Sequence, residues 1–269
     1  MKSLIDHLAT LYPDSSRRTL KNWLAGGRVR VNGQVERKAT LPIEGEEVTL
    51  GRYEVRPFCG IHILYEDPHL IAISKPAGLL SFPLDTPGSR HALGLLRHHL
   101  EEPKIQPVHR LDRETSGVMV FARSERGHEG LDALFEGRNL EREYIAVVEG
   151  HLAEDKGTWE SLLLERADLS VASHPKGKRA VTHFEVIGRT PKLSHLRLKL
   201  ETGRKHQIRV HCSEAGHPVV GDKRYGGSFD PIERLALHAH TLAFNHPVTG
   251  KPLHFTAKLP TSFQRVGLT

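Results

Sequence analysis

Cysteine is nearly absent: the 269 residues contain two, Cys59 and Cys212, far apart in the chain, so no disulfide framework is expected. No apolar run approaches the roughly 20 residues that a bilayer-spanning helix needs, so no membrane span is expected. The opening segment, MKSLIDHLATLYPD, carries Asp6 and Asp14 and lacks the long apolar core of a secretory signal. A cytoplasmic location is the economical expectation. Neither C-x-x-C nor H-E-x-x-H occurs, and the 19 histidines are scattered without coordination spacing, so no metal is expected. G-x-G-x-x-G and G-x-x-x-x-G-K-[ST] are missing too, which leaves a dinucleotide or nucleoside-triphosphate site without support.

What is present begins with a modest basic excess, 38 Lys and Arg against 32 Asp and Glu, which suits a polyanionic partner. Residues 1–50 have their own character. Leu4, Ile5, Leu8 and Leu11 recur at helical spacing before Pro13, and Leu20, Trp23 and Leu24 share a face of a second helix capped by Ser15 or Ser16. RVRVNGQV then alternates around Asn32-Gly33, a strong hairpin signal. Arg17, Arg18 and Lys21 line one side of the second helix, and Arg28 and Arg30 share a strand face, a display that suits phosphate contact. Residues 51–60 break both periodicities and read as a linker to a larger domain over 61–269.

That larger domain is rich in short strands: IAISK, VMVFA, YIAVV, THFEVIG, LRLKL and LALHAHTLAF. Leu196, Leu198 and Leu200 alternate with Arg197 and Lys199, the pattern of a half-buried antiparallel strand. Helices are expected near 89–100, 125–136 and 205–215. The fold class is therefore α+β: a mixed, mainly antiparallel sheet with a small N-terminal helix-helix-hairpin domain.

The most informative stretch is HRLDRETSG, residues 109–117. Asp112 lies between Arg110 and Arg113, ahead of the apolar strand VMVFA, and nearby cations favour the ionised carboxylate. This string resembles the signature of the RluA-type pseudouridine synthases. Three further segments resemble the same family in the same order: YEDPHLIAISKPAGL (65–79), REYIAVVEG (142–150) and TGRKHQIRVHCSEAGHPVVGDKRYG (202–226). RRTLKNWLAGGRVRVNGQV resembles the alpha-L RNA-binding motif of ribosomal proteins.

The resemblance implies an RNA-modifying isomerase that cuts the N1–C1′ bond of uridine, turns the base and rejoins it through C5. That conversion requires neither redox chemistry nor a group donor, so no cofactor is expected. Asp112 matches the family's catalytic carboxylate, Arg209 its partner, and Tyr144 the tyrosine in contact with the target base. Ile208 matches an apolar pocket position, and Arg110 the arginine that fills the gap left by the flipped base. Lys75, Arg204 and Lys205 are phosphate-contact candidates. The implied partner is ribosomal or transfer RNA, bound by a monomer. After KPAGL the chain departs from the family with LSFPLDTPG (80–88), a loop expected to shape substrate access. Two other classes compete: a catalytically silent RNA-binding protein, which needs none of Asp112, Tyr144 and Arg209, and a nucleoside hydrolase, for which a second catalytic carboxylate has no clear candidate.

Overall fold

The computed structural model describes residues 2–25, 27–50, 59–83, 89–137 and 139–268. Most of the expected linker, residues 51–58, and the end of the divergent loop, 84–88, lie outside the described residues.

The N-terminal part runs β1 (Lys2–Ser3), α1 (Leu4–Leu11), α2 (Arg17–Ala25), β2 (Val29–Val31), β3 (Gln34–Val35), β4 (Pro42–Ile43) and β5 (Val48–Leu50). Ser16 Oγ accepts the Thr19 amide at 3.1 Å, the cap that starts α2. Asn32 and Gly33 both take positive φ, which closes the β2–β3 hairpin with a twist matched to its strands. Leu4, Leu8, Leu20, Trp23, Leu24 and Val29 form a small separate core. Leu11, expected to join it, is 47% exposed, because it occupies the last turn of α1.

The larger part contains β6 (His62–Glu66), β7 (Leu70–Lys75), α3 (Ala92–His99), β8 (Gln106–Pro107), β9 (Ser116–Ala122), α4 (Glu125–Gly137), β10 (Glu141–Glu149), β11 (Lys156–Glu165), β12 (Val171–Ser173), β13 (Lys178–Thr190), β14 (Leu193–Leu200), α5 (Gln207–Glu214), β15 (Leu237–Asn245), β16 (Pro252–Thr256) and a closing 3-10 helix. Its strands join in one sheet of order β12-β11-β13-β14-β10-β15-β9-β7-β6, with β16 added to β15 and β8 to β9. Among the described pairs only β15–β9 is parallel. The α+β, mainly antiparallel fold is as the sequence implies.

Alternation explains the centre of this sheet. Along β9, Met119 and Phe121 enter one core with α3, while Val118, Val120 and Ala122 enter another with Leu131 of α4. A strand buried on both faces needs a continuous apolar run. A third core packs β10 and β14 against α5, and Tyr144 on β10 touches both this core and that of α3. Gly117 makes the parallel junction feasible. Its φ is +121, and a Cβ there would sit 2.1 Å from the carbonyl oxygen of Ala239.

The two parts are tied by buried charge. Arg28 Nη1 meets Glu66 Oε1 at 2.7 Å and Nη2 donates to the Glu66 carbonyl at 2.5 Å, with the Arg28 guanidinium over the Trp23 ring. Arg28 is 8% exposed and so is no phosphate contact, contrary to the strand-face expectation. It precedes β2 and turns inward. Burial pushes the Glu66 carboxyl up, opposed by Arg123 and Arg28. Removing one member of a buried pair leaves an uncompensated charge. Arg28→Ala is expected to lower stability by about 3 kcal/mol in urea unfolding. A loss under about 0.5 kcal/mol, the range of ordinary surface changes, would show that the contact is incidental.

Candidate active site

A cavity of about 530 Å³ opens where the loop before β9, the strand β10 and the N-terminal end of α5 converge. Asp112, Tyr144, Ile208, Arg209, Leu200 and Leu237 line it. Charged Asp112 and Arg209 share this lining with the apolar side chains of Leu200, Ile208 and Leu237.

The loop carrying Asp112 is braced from several directions. Ser81 Oγ donates to the Leu111 carbonyl at 2.7 Å and accepts the Leu111 amide at 3.0 Å. Lys75 Nζ donates to the carbonyls of Leu79, Pro76 and Arg113 at 2.7, 3.0 and 3.2 Å, and Gly78 donates its amide to the same Arg113 carbonyl. His109 Nε2 accepts the Val120 amide at 2.9 Å, and its ring stacks on Phe135. Burial drives the His109 pKa down to about 3, so this imidazole is a neutral anchor. Such bracing fixes the direction of the Asp112 loop.

Opposite Asp112 stands Arg209 on α5, with Nη1 3.3 Å from Oδ2. Arg209 is itself fixed by Asp222, which accepts Nε at 2.7 Å and Nη2 at 2.8 Å in a bidentate pair. The Tyr225 ring lies 5.0 Å from the guanidinium carbon. Burial works against the charge of Arg209, but Asp222 and then Asp112 outweigh it and hold its pKa up. His206 Nε2 is the second group near Asp112, 3.8 Å from Oδ2. Burial lowers the His206 pKa, with Asp112 acting in the opposite direction. Burial raises the Tyr144 phenol, so it stays protonated and can donate a hydrogen bond.

The segment ahead of α5 is locked by Gln207. Its Oε1 accepts from Thr202 Oγ1 at 2.7 Å and from the Arg204 amide at 3.0 Å, while Nε2 donates to the Val181 carbonyl at 2.9 Å. A carboxylate, an arginine braced by a second carboxylate, and a tyrosine over an apolar wall make a pocket suited to a planar base and its sugar.

A family model described as RNA pseudouridylate synthase matches residues 69–214. The chain belongs to the RNA pseudouridylate synthase family. It is an RNA pseudouridine synthase, an isomerase. It is 36% identical to "Ribosomal large subunit pseudouridine synthase D" of Pseudomonas aeruginosa, over 95% of this chain and 88% of that protein. Identity is 35% to an uncharacterised RNA pseudouridine synthase of Bacillus subtilis, over 94% of this chain and 88% of the relative. Among solved structures, human RNA pseudouridylate synthase domain containing 1 superposes with a TM-score of 0.63 at 26% identity, covering 74% of this chain and 84% of that one.

Several expected residues of the synthase take other places. Arg110 and Arg113, which flank Asp112 in sequence, are not its cationic partners: Arg110 lies over the Phe82 ring and Arg113 reaches the Gly78 carbonyl. Consecutive side chains in an extended loop point apart, and the ion pair comes from α5 instead. Lys75 is fully buried, so it fastens the Lys-Pro-Ala-Gly turn to the Asp112 loop and contacts no phosphate. Lys205 pairs with Glu165 beyond the cavity lining, whereas Arg204 lines the cavity and donates to the Arg179 carbonyl. In the N-terminal part Arg17 pairs with Asp6, Arg18 bridges to Glu101 at 2.6 Å, Arg30 donates to the Gly33 carbonyl, and Lys21 is exposed.

Sequence reading missed Asp222, Tyr225 and His206. All three lie inside the quoted 202–226 segment, and Asp222 carried a usable signal: an acid destined for burial within a motif that already holds an arginine. No helix among the described residues is long and apolar enough to cross a membrane.

Proposed function

We propose that this synthase isomerises specific uridines of large-subunit ribosomal RNA, with Asp112 as the reacting carboxylate. The observation that carries the site assignment is the Asp112–Arg209 contact of 3.3 Å inside the lined cavity. The ribosomal substrate is supported by relatives of 36 and 37% identity bearing that name.

Isomerisation breaks the N1–C1′ bond and forms C5–C1′, with a hydrogen lost from C5 and one gained at N1. Both routes open to a carboxylate, attack on the sugar or removal of a sugar proton, require its charged form beside the ribose. Arg209 supplies the compensating charge and, through Asp222, a fixed direction. Tyr144 offers its ring to one face of the flipped uracil and its hydroxyl as a donor, while Ile208 adds apolar wall. Extrusion of the base costs a few kcal/mol in a helix and less in a loop. Arg110, exposed at the rim, is suited to stack in the vacated position. Arg204, at the cavity lining, is suited to contact a phosphate beside the target.

The N-terminal module adds Arg17, Arg18 and Lys21 as phosphate contacts. The present partners of Arg17 and Arg18 are the surface acids Asp6 and Glu101, and such pairs are weak enough to exchange for RNA. Replacing the three by Gln should flatten the slope of log affinity against log salt by about 2, as three fewer counterions are released. An unchanged slope would mark this face as plain solvated surface. One chain carries every group that the chemistry requires, which supports action as a monomer. Mapping pseudouridines in ribosomal and transfer RNA from a strain lacking the protein tests the substrate. Loss of a ribosomal site, restored by the intact gene, is expected; loss confined to transfer RNA would overturn it.

A further inference from the structure

His206 sits immediately before α5 in the left-handed region, with φ +55. Asn or Gly adopts that conformation at lower cost than His, so backbone geometry alone does not call for an imidazole here. The ring lies between two groups. Its Nδ1 is 2.6 Å from the Tyr225 hydroxyl, and its Nε2 is 3.8 Å from Oδ2 of Asp112. The Tyr225 oxygen already accepts the Val171 amide at 2.9 Å. With the amide on one of its lone pairs the phenol is free to give its single proton to Nδ1, and the Asp112 carboxylate beside Nε2 favours a proton on that nitrogen. The neutral ring then carries its own proton on Nε2, directed at Asp112.

The charged groups around His206 agree with this tautomer. Asp112 faces it from the loop before β9, Arg209 from α5, Lys205 from the adjoining backbone, Arg224 from the loop after α5, and Glu165 from β11. Three cations and burial disfavour a second proton on the ring. Arg209 Nη1 and His206 Nε2 address the same carboxylate oxygen, Oδ2. Among the described residues no side chain pairs with Oδ1, and Asp112 lines the cavity.

We propose that His206 is a positioning residue: its Nε2–H, oriented by the Tyr225 hydroxyl, holds Oδ2 of Asp112 together with Arg209 and so presents Oδ1 to the ribose. At 3.8 Å the contact is longer than a hydrogen bond, and catalytic hydrogen bonds commonly tighten once substrate fills a site. A line of contacts thus runs from the Val171 amide on β12 through Tyr225 and His206 to the reacting group. This inference rests on the reading of Asp112 as the reacting carboxylate.

The test compares His206→Gln, His206→Asn, Tyr225→Phe and Asp112→Asn in the full-length protein, measuring single-turnover pseudouridine formation and RNA affinity separately. The Gln amide nitrogen reaches the place of Nε2, whereas that of Asn stops near Nδ1. Backbone preference runs the other way, because Asn tolerates positive φ better than Gln. Positioning through Nε2–H predicts a rate loss of about 10²-fold for Asn, substantial rescue by Gln, and a smaller loss for Phe at 225, with RNA affinity little changed. An Asn variant as fast as or faster than the Gln variant would overturn the proposal, as would parallel losses in affinity and rate. If Asp112→Asn is inactive while both His206 variants match wild type, this inference alone fails. If Asp112→Asn itself turns over, the Asp112 reading fails and takes this one with it.

Discussion

Asp112→Asn is expected to abolish pseudouridine formation, lowering the single-turnover rate by roughly 10⁴-fold or more, the scale seen when a reacting group is removed. The amide has the same shape, and the loop keeps its braces from Ser81, Lys75 and His109, none of which touches the Asp112 carboxylate. RNA affinity should therefore stay within about threefold, since phosphate contacts dominate it and remain in place. What is lost is the charge that either chemical route requires. The pairing with Arg209 and the approach of His206 would persist in weakened form, because a neutral amide oxygen still accepts. Measuring pseudouridine by mass spectrometry after digestion, beside a binding titration, separates the two effects. A variant that binds and still turns over would remove Asp112 from the mechanism.

Arg209→Lys should reduce the rate by about 10²-fold, the penalty for a small misplacement of a catalytic group, although the charge is retained. Arg209 uses Nε and Nη2 on Asp222 and Nη1 on Asp112, three directions from one plane. An ammonium is a point charge and cannot hold a bidentate pair with Asp222 while reaching Asp112. Asp222 is 1% exposed and would lose one of its two strong donors, so a fall in stability of about 1–3 kcal/mol should accompany the loss of rate. The ring of Tyr225 would also lose its stacked partner. Kinetics and urea unfolding on the same preparation check both parts. Wild-type rates from the Lys variant would mean that charge alone suffices and that the fork geometry has no catalytic part.

The legible parts of this fold were those written in local periodicity. VMVFA, apolar throughout, became β9, buried along its whole length, and the Leu-Arg-Leu-Lys-Leu alternation became β14, paired on both sides. The three expected helices of the larger part appeared as α3, α4 and α5, the first and last lying inside the expected ranges and α4 running one residue past its own. By contrast β11 was missed. Burial alternates along that ten-residue strand, but its inward positions include Gly157 and Ser161, so the sequence shows little apolar alternation. The site was legible as residue types in motif order, yet its pairings were not. Arg209 and Asp112 lie 97 positions apart and meet because the loop before β9 and the start of α5 line the same cavity. The adjacent arginines attracted attention by proximity in sequence, and the loop geometry sends them elsewhere. Lys75 and Arg28 misled for a related reason: a cation in a motif reads as exposed, while here backbone carbonyls and Glu66 satisfy both inside the protein. Burial of a charge is decided by distant partners, which no local pattern encodes.

The measurement closest to the centre of this account uses RNA labelled with tritium at C5 of uridine. Moving the glycosidic bond to C5 must displace that hydrogen, so the wild-type protein should release one tritium to water for each pseudouridine formed, with no free uracil, and Asp112→Asn should release none. Label retained in the RNA, free uracil accumulating, or release by the Asn variant would contradict an isomerase built on Asp112.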